Sequence, residues 1–365
     1  MHRKSASTHR PEETSGFRSL ESFMKKMNVR TVLPALAFVA AFGAMTPAHA
    51  ADKITIIVGG MEKQIYLPAV LCDRLGFFKE QGLDVDLINS KAGVEAENEL
   101  LAGAVQGVVG FYDHTVDLQA KGKFIQSIVQ FSQAPGEVEM VSTKAEDVKS
   151  PADFKGKTLG VTGLGSSTDF LTQYMASRAG LKAGEFTLLP VGAGNTFIAA
   201  MKQDAIQAGM TTEPTVGQLI KSNTAKVLVD LRTPESTEKA LGGPYPAASF
   251  YVQTNWLESH HDEAQKIANA LVKTMHWIAG HSAEEIADKM PKDYYVGDKD
   301  LYVKGLAGGK AMFTPDGRMP EKGPETVLGV LKGFSRNVQG KDIDLSKTYT
   351  TEFVDAAAKT LGSSQ

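Results

Sequence analysis

The stretch Thr158-Leu159-Gly160-Val161-Thr162-Gly163-Leu164-Gly165-Ser166-Ser167-Thr168-Asp169 decides how this chain folds. Its first four residues read as a buried strand, and Phe170 to Gly180 carry a helical pattern. A strand that feeds a helix through such a small-residue turn leaves the first N–H groups of the helix unpaired, with the positive end of the macrodipole behind them. That is a seat for an anion. Glycines let a backbone approach a ligand closely, and the hydroxyls of Ser166, Ser167 and Thr168 can either cap the helix or donate to a bound oxyanion. The turn alone leaves both readings open.

Going outward, the arrangement repeats. After the turn, Phe186 to Pro190 reads as a strand, Thr196 to Gln203 as a helix, Ala205 to Met210 as a strand, Thr215 to Ser222 as a helix and Lys226 to Leu231 as a strand. The first half has the same order. Ile54 to Val58 is a buried-strand pattern ending in Gly59-Gly60, and Leu67, Val70, Leu71, Arg74, Leu75 and Phe78 recur at helical spacing before Gly82. Leu83 to Leu87, Val105 to Gly110 and Phe124 to Phe131 then read as strands, with helices over Glu95 to Gly103 and Thr115 to Lys121. Two β-α-β-α-β-α-β series predict two doubly wound α/β lobes built on parallel sheets.

In open parallel sheets ligands collect beyond the carboxyl ends of the strands. The turns there carry Gly60, Met61, Lys63, Gln64 and Tyr66, then Tyr112, Asp113 and His114, and in the second half Gly165 to Thr168, Asn195, Thr212 and Glu213. These are groups that orient a small solute rather than transform it. Tyr112 and Tyr66 offer aromatic faces to a planar solute, while Phe111 reads as packing between strand and helix. Asp113 and His114 form either a titratable pair facing the ligand or, through Asp113, a helix cap. Lys63 supplies one positive charge or is simply solvated.

Residues 1–50 lie outside this pattern. Lys25, Lys26 and Arg30 precede an apolar run from Val32 to Met45, and Ala48-His49-Ala50 matches the small-x-small cleavage site of a secretory signal peptide. Cleavage after Ala50 leaves 315 residues, with no cysteine placed to take a lipid, which predicts a protein free in the periplasm. The leader takes seven of 39 Lys/Arg and three of 42 Asp/Glu, so 32 basic residues face 39 acidic ones and the charge is near −7. That excludes nucleic acid and an anionic membrane as main partners, since both reward clustered positive charge. Cys72 is alone, which excludes a disulfide framework or a cysteine metal cluster and marks it as a packing residue. His276 and His281 are five apart, not one helical turn, and His260-His261 precedes an acidic helix start, so no metal or other cofactor is expected. Trp256 and Trp277 read as core anchors. Gly163-Leu164-Gly165-Ser166-Ser167 has glycine where a nucleophile elbow needs serine, so the chain does not read as a hydrolase.

Three segments carry a family resemblance: Leu75-Gly76-Phe77-Phe78-Lys79-Glu80-Gln81-Gly82-Leu83-Asp84-Val85, Ser150 to Val161, and the Glu213-Pro214 turn. Together they resemble the solute-binding proteins of ABC importers, in the branch that handles nitrate, sulfonates and the pyrimidine precursor of thiamine. Ala248 to Val252, Asn255-Trp256-Leu257 and the long helix after His260 are similar to that family's return into its first lobe. The resemblance implies a type II periplasmic-binding-protein fold, with 51–142 and 245–365 in lobe I and 143–244 in lobe II. It also implies a monomer that passes its ligand to a membrane permease, with Gly165 to Thr168 gripping an anionic head and Glu213 as a further contact. Two departures stand out: Leu101 to Gly110 lacks acidic residues, and Phe111-Tyr112-Asp113-His114 is bulkier than the small hydroxyl turn of sulfonate binders. They argue against taurine and simple inorganic anions and leave an aromatic carboxylate or sulfonate as the favoured ligand. The alternatives are a pyrimidine precursor, or an enzyme or sensor partner on the same fold. Relatives that make the pyrimidine from their own side chains carry a cysteine-rich stretch, which this chain lacks.

Overall fold

A computed structural model describes residues 53–362; the expected signal peptide lies outside the described residues. The chain builds two five-stranded sheets. In the first, β1 (Lys53–Val58) pairs in parallel with β2 (Asp84–Asn89) and with β3 (Gly107–Phe111). β10 (Ala248–Gln253) then lies between β3 and β4 (Ile125–Gln130), antiparallel to both. In the second sheet β6 (Thr158–Val161) pairs in parallel with β7 (Thr187–Pro190) and β8 (Ala208–Thr212). Here β5 (Glu137–Ser142) is the antiparallel strand, between β8 and β9 (Ala225–Leu231).

The sheets are therefore mixed rather than purely parallel. The reversed strand in each is the one by which the chain arrives from the other sheet. An arriving segment has no crossover helix before it, so nothing forces it parallel to its new neighbours. The expected lobe boundary after Ser142 falls earlier for the same reason. Val138 and Met140 complete a core with Phe197, Met201, Ile206 and Val216, so Glu137–Ser142 belongs with the second sheet. The crossing runs through 131–136, ending at Gly136 with φ +65°.

β1 is a central strand because its apolar run is buried on both faces, with Ile54, Ile56, Ile57 and Val58 all nearly inaccessible. Phe250 of β10 packs across Gly107, where a Cβ would sit 2.4 Å from the ring. The opposite face of the second sheet is closed by Val141, Phe154, Leu159, Ala176 and Ala208. Behind the first sheet the helix His261–Gly280 buries Ile267, Leu271, Met275 and Ile278 in the main core, along with Cys72. Trp256 and Trp277 are partly buried against it, each stacked on a histidine one turn later, His260 and His281. No helix among the described residues is long and apolar enough to cross a membrane.

Candidate functional site

The helix Ser167–Arg178 begins three residues before the expected Phe170, with Ser166 as the extended residue before it. Its hydroxyls are already engaged. Thr168 Oγ1 accepts from the Thr162 N–H at 3.0 Å and holds the turn to the end of β6. Ser166 Oγ accepts from the N–H of Val94 at 3.3 Å, and Val94 belongs to the helix Gly93–Leu101 beside the first sheet. Ser167 Oγ donates to Asp113 Oδ1 at 2.8 Å, and Tyr245 Oη donates to the other oxygen of the same carboxylate at 2.9 Å. The three hydroxyls at the helix start are thus all bonded within the protein. Gly163 and Gly165 allow the contact, since they lie close against Ala92 and Val94.

Asp113 and His114 open the helix Asp113–Ala120 and are fully enclosed. Asp113 is not a cap; the residue before the helix is Tyr112. Burial lifts the Asp113 carboxyl, while His114 and the two hydroxyls act the other way. His114 Nδ1 lies 2.6 Å from Glu97 Oε2, close for an ion pair though poorly aligned for a hydrogen bond, and Nε2 has no protein partner. Burial alone would depress this imidazole, but the charges of Glu97, Asp113 and Asp117 outweigh it and raise it to about 8. Gly93 gives the ring its room, because a Cβ there would stand 3.0 Å from Nε2.

From the first sheet, Lys63 folds back over Gly60, where only a glycine fits at φ +119°. It is 4 % exposed, and its ammonium donates to the Gly59 carbonyl at 2.6 Å. Burial holds its basicity down, against the pull of Glu62, Glu137 and Glu95. The Tyr66 ring is 5.7 Å from the ammonium, and its other side meets Phe111 edge-on. Gln64 joins the lobes: its N–H donates to the Glu213 carbonyl at 3.1 Å, and its amide donates to Tyr302 O at 2.8 Å.

Other expected contacts go elsewhere. Tyr112 turns away: its hydroxyl bonds to Thr348 and its ring meets Tyr349 edge-on. It stands past the end of β3, with the αR backbone that starts the next helix, and Phe111 before it meets Tyr66 edge-on. Asn195 sits exposed at the start of its own helix, apart from the buried set. Met61 is half-buried, its N–H held by Asn89. Thr212 bonds only to the next carbonyl, and the following Glu213–Pro214 peptide is cis. Glu213 binds Arg232 and the Gly217 N–H and packs on Gly305, so its carboxylate serves contact between helices. A cavity of about 490 Å³ opens behind it, between Arg232, Ile220, Leu301 and Lys304.

Sequence reasoning missed Glu137, Glu139 and Tyr245. The alternation Glu137-Val138-Glu139-Met140 was the available signal, since it places two carboxyls on one face and two apolar side chains on the other. Both glutamates are buried, and Glu137 is near enough to Lys63 and Asp113 for their charges to act on it.

Residues 66–285 match the model of the NMT1/THI5-like family. The putative binding protein YtlA of Bacillus subtilis is 22% identical over 271 residues, 73% of this chain and 79% of that protein. A solved structure from Bordetella bronchiseptica is 33% identical with a TM-score of 0.82, over 86% of this chain and 99% of that one. The alkanesulfonate-binding protein SsuA from Xanthomonas axonopodis pv. citri, solved bound to MOPS, superposes with a TM-score of 0.66 at 15% identity, over 82% and 98% of the two chains. The two mixed sheets are those of the periplasmic-binding-protein fold.

Proposed function

The chain belongs to the NMT1/THI5-like family, and from that premise we propose a periplasmic receptor. It closes two lobes on a small organic anion, an aromatic carboxylate or sulfonate, and presents it to an ABC permease. Lys63 carries this reading. A buried ammonium with a single carbonyl partner is a costly arrangement. An acid group placed against it between the lobes offsets the cost of its burial and satisfies its remaining donors. Tyr66 supplies a flat face 5.7 Å from it. The contacts Val94 to Ser166, Asp113 to Ser167 and Gln64 to Glu213 support a closing motion, and a ligand touching both lobes selects the closed state. The hydroxyls at the Ser167 helix start then act through closure rather than as the head-group clamp.

The test is the melting temperature of the protein against benzoates, aryl and alkyl sulfonates, nitrate, pyrimidines, amino acids and neutral sugars. A ligand at a hundred times its dissociation constant adds about 2.7 kcal/mol. A shift with organic acids that disappears in Lys63→Met is the expected result. A shift with neutral sugars alone refutes the reading, and one with pyrimidines alone replaces the acid by the vitamin precursor.

A further inference from the structure

The interior that holds Lys63 is rich in acid. Asp113, Glu137 and Glu139 are all at most 2 % exposed, and the charges of Asp113, Lys63 and Glu139 all act on the Glu137 carboxyl. Their states of satisfaction differ. Asp113 accepts from two hydroxyls, and Glu139 accepts from Thr172 Oγ1 at 2.9 Å while its second oxygen is unpartnered. Glu137 accepts no hydrogen bond among the described residues, and its Oε2 is wholly enclosed. The start of β5 fixes where that carboxyl stands: Gly136 runs against Ile65, two residues beyond Lys63, and Glu137 faces Thr212 across the sheet.

A buried acceptor without a partner costs about 1–3 kcal/mol, and native structures keep few of them. An acid-rich interior is also a poor receptor for an anion that brings nothing else. We propose that Glu137 is a specificity-determining acceptor for an N–H group of the ligand, so that the cleft selects amphoteric solutes, acids that also carry an amino group, over plain acids. This rests on the reading of Lys63 as partner of the ligand's acid group. Burial, and after it the Asp113 charge, hold the Glu137 carboxyl well above its usual range, and an ammonium group placed against it offsets both.

Calorimetric titration of matched pairs tests the proposal: 3-(aminomethyl)benzoate against 3-methylbenzoate, and taurine against ethanesulfonate. In the natural protein the amino member of at least one pair binds tenfold or more tighter. In Glu137→Gln the preference shrinks to threefold or less. Glu137→Asp keeps the carboxyl on a shorter arm and retains part of the preference, which separates loss of the acceptor from damage to the fold. Equal affinity within both pairs, or a preference that survives Glu137→Gln, overturns the inference while leaving Lys63 as the acid's partner. Binding of an uncharged aminopyrimidine that needs Glu137 and ignores Lys63→Met supports Glu137 as acceptor and refutes the acid at Lys63.

Discussion

Raising the pH from 6 to 9 should unload His114, and the structure sets the size of the effect. The imidazole is buried against Glu97, with Asp113 and Asp117 on its own helix and the Phe170 ring 5.9 Å away on the facing lobe. Burial disfavours its charge, and the three carboxylates more than restore it, to about 8 from an ordinary value of 6.5. The folded state therefore binds this proton more tightly than the unfolded chain does. Stability from it is fully present below about pH 6.5 and is lost as pH rises through 8. At 1.36 kcal/mol per unit the loss is about 2 kcal/mol. Glu139, also raised to about 8 by burial, weakens the fold in the same direction because its unfolded form ionises near 4.5. That part is common to the natural protein and a His114 variant. Urea unfolding at pH 6, 7, 8 and 9 should show His114→Gln losing about 2 kcal/mol less than the natural protein over that range. The imidazole NMR titration should have its midpoint near 8 and drop in Glu97→Gln, where burial is less opposed. An unchanged pH slope in His114→Gln, or a midpoint at or below 6.5, would refute this account of the pair.

Asp113→Ala leaves the Ser167 and Tyr245 hydroxyls without their acceptor and should cost about 1–3 kcal/mol; small-angle scattering should show a more open molecule, and an unchanged profile would mean that the contact does not hold the lobes. Gly305→Ala puts a Cβ 2.9 Å from the Glu213 carboxyl carbon, and overpacking of that kind should lower stability by about 1–3 kcal/mol in chemical unfolding. Gly136→Ala meets Ile65 at 2.4 Å and demands φ +65° of a residue with a Cβ, so it should destabilise more than Gly122→Ala, which has a similar φ of +72° and open space around it. Cys72 is enclosed and burial pushes its thiol up, so a maleimide should label it only after unfolding.

Most of the fold was legible because hydrophobic period and turn chemistry are local signals. The strand Thr158 to Val161 forms where the pattern places it, and the helix after the turn begins three residues early. The direction of β5 and β10 was not legible, since sheet order is decided by residues far apart in the sequence. Nor was Glu137–Ser142 recognised as a strand, although its alternation was present. In the candidate site, Lys63, Tyr66, Asp113, His114 and Ser167 do come together. Tyr112 was not placed because it lies at the change from strand to helix, where the backbone turns αR and the ring goes to Thr348. What no single sequence displays is that the Ser167 hydroxyl would be taken by a carboxylate from the other lobe.

The place of β10 between β3 and β4 has a consequence for how the molecule comes into being. Synthesis delivers β3 and β4 early, yet the slot between them stays vacant until residues 248–253 emerge, after the whole second sheet. The first sheet is therefore unable to finish while the ribosome is still making the middle of the chain. Pairings between such distant segments form slowly. A nascent protein built this way can finish its second sheet first and closes the first only when residues 248–253 arrive.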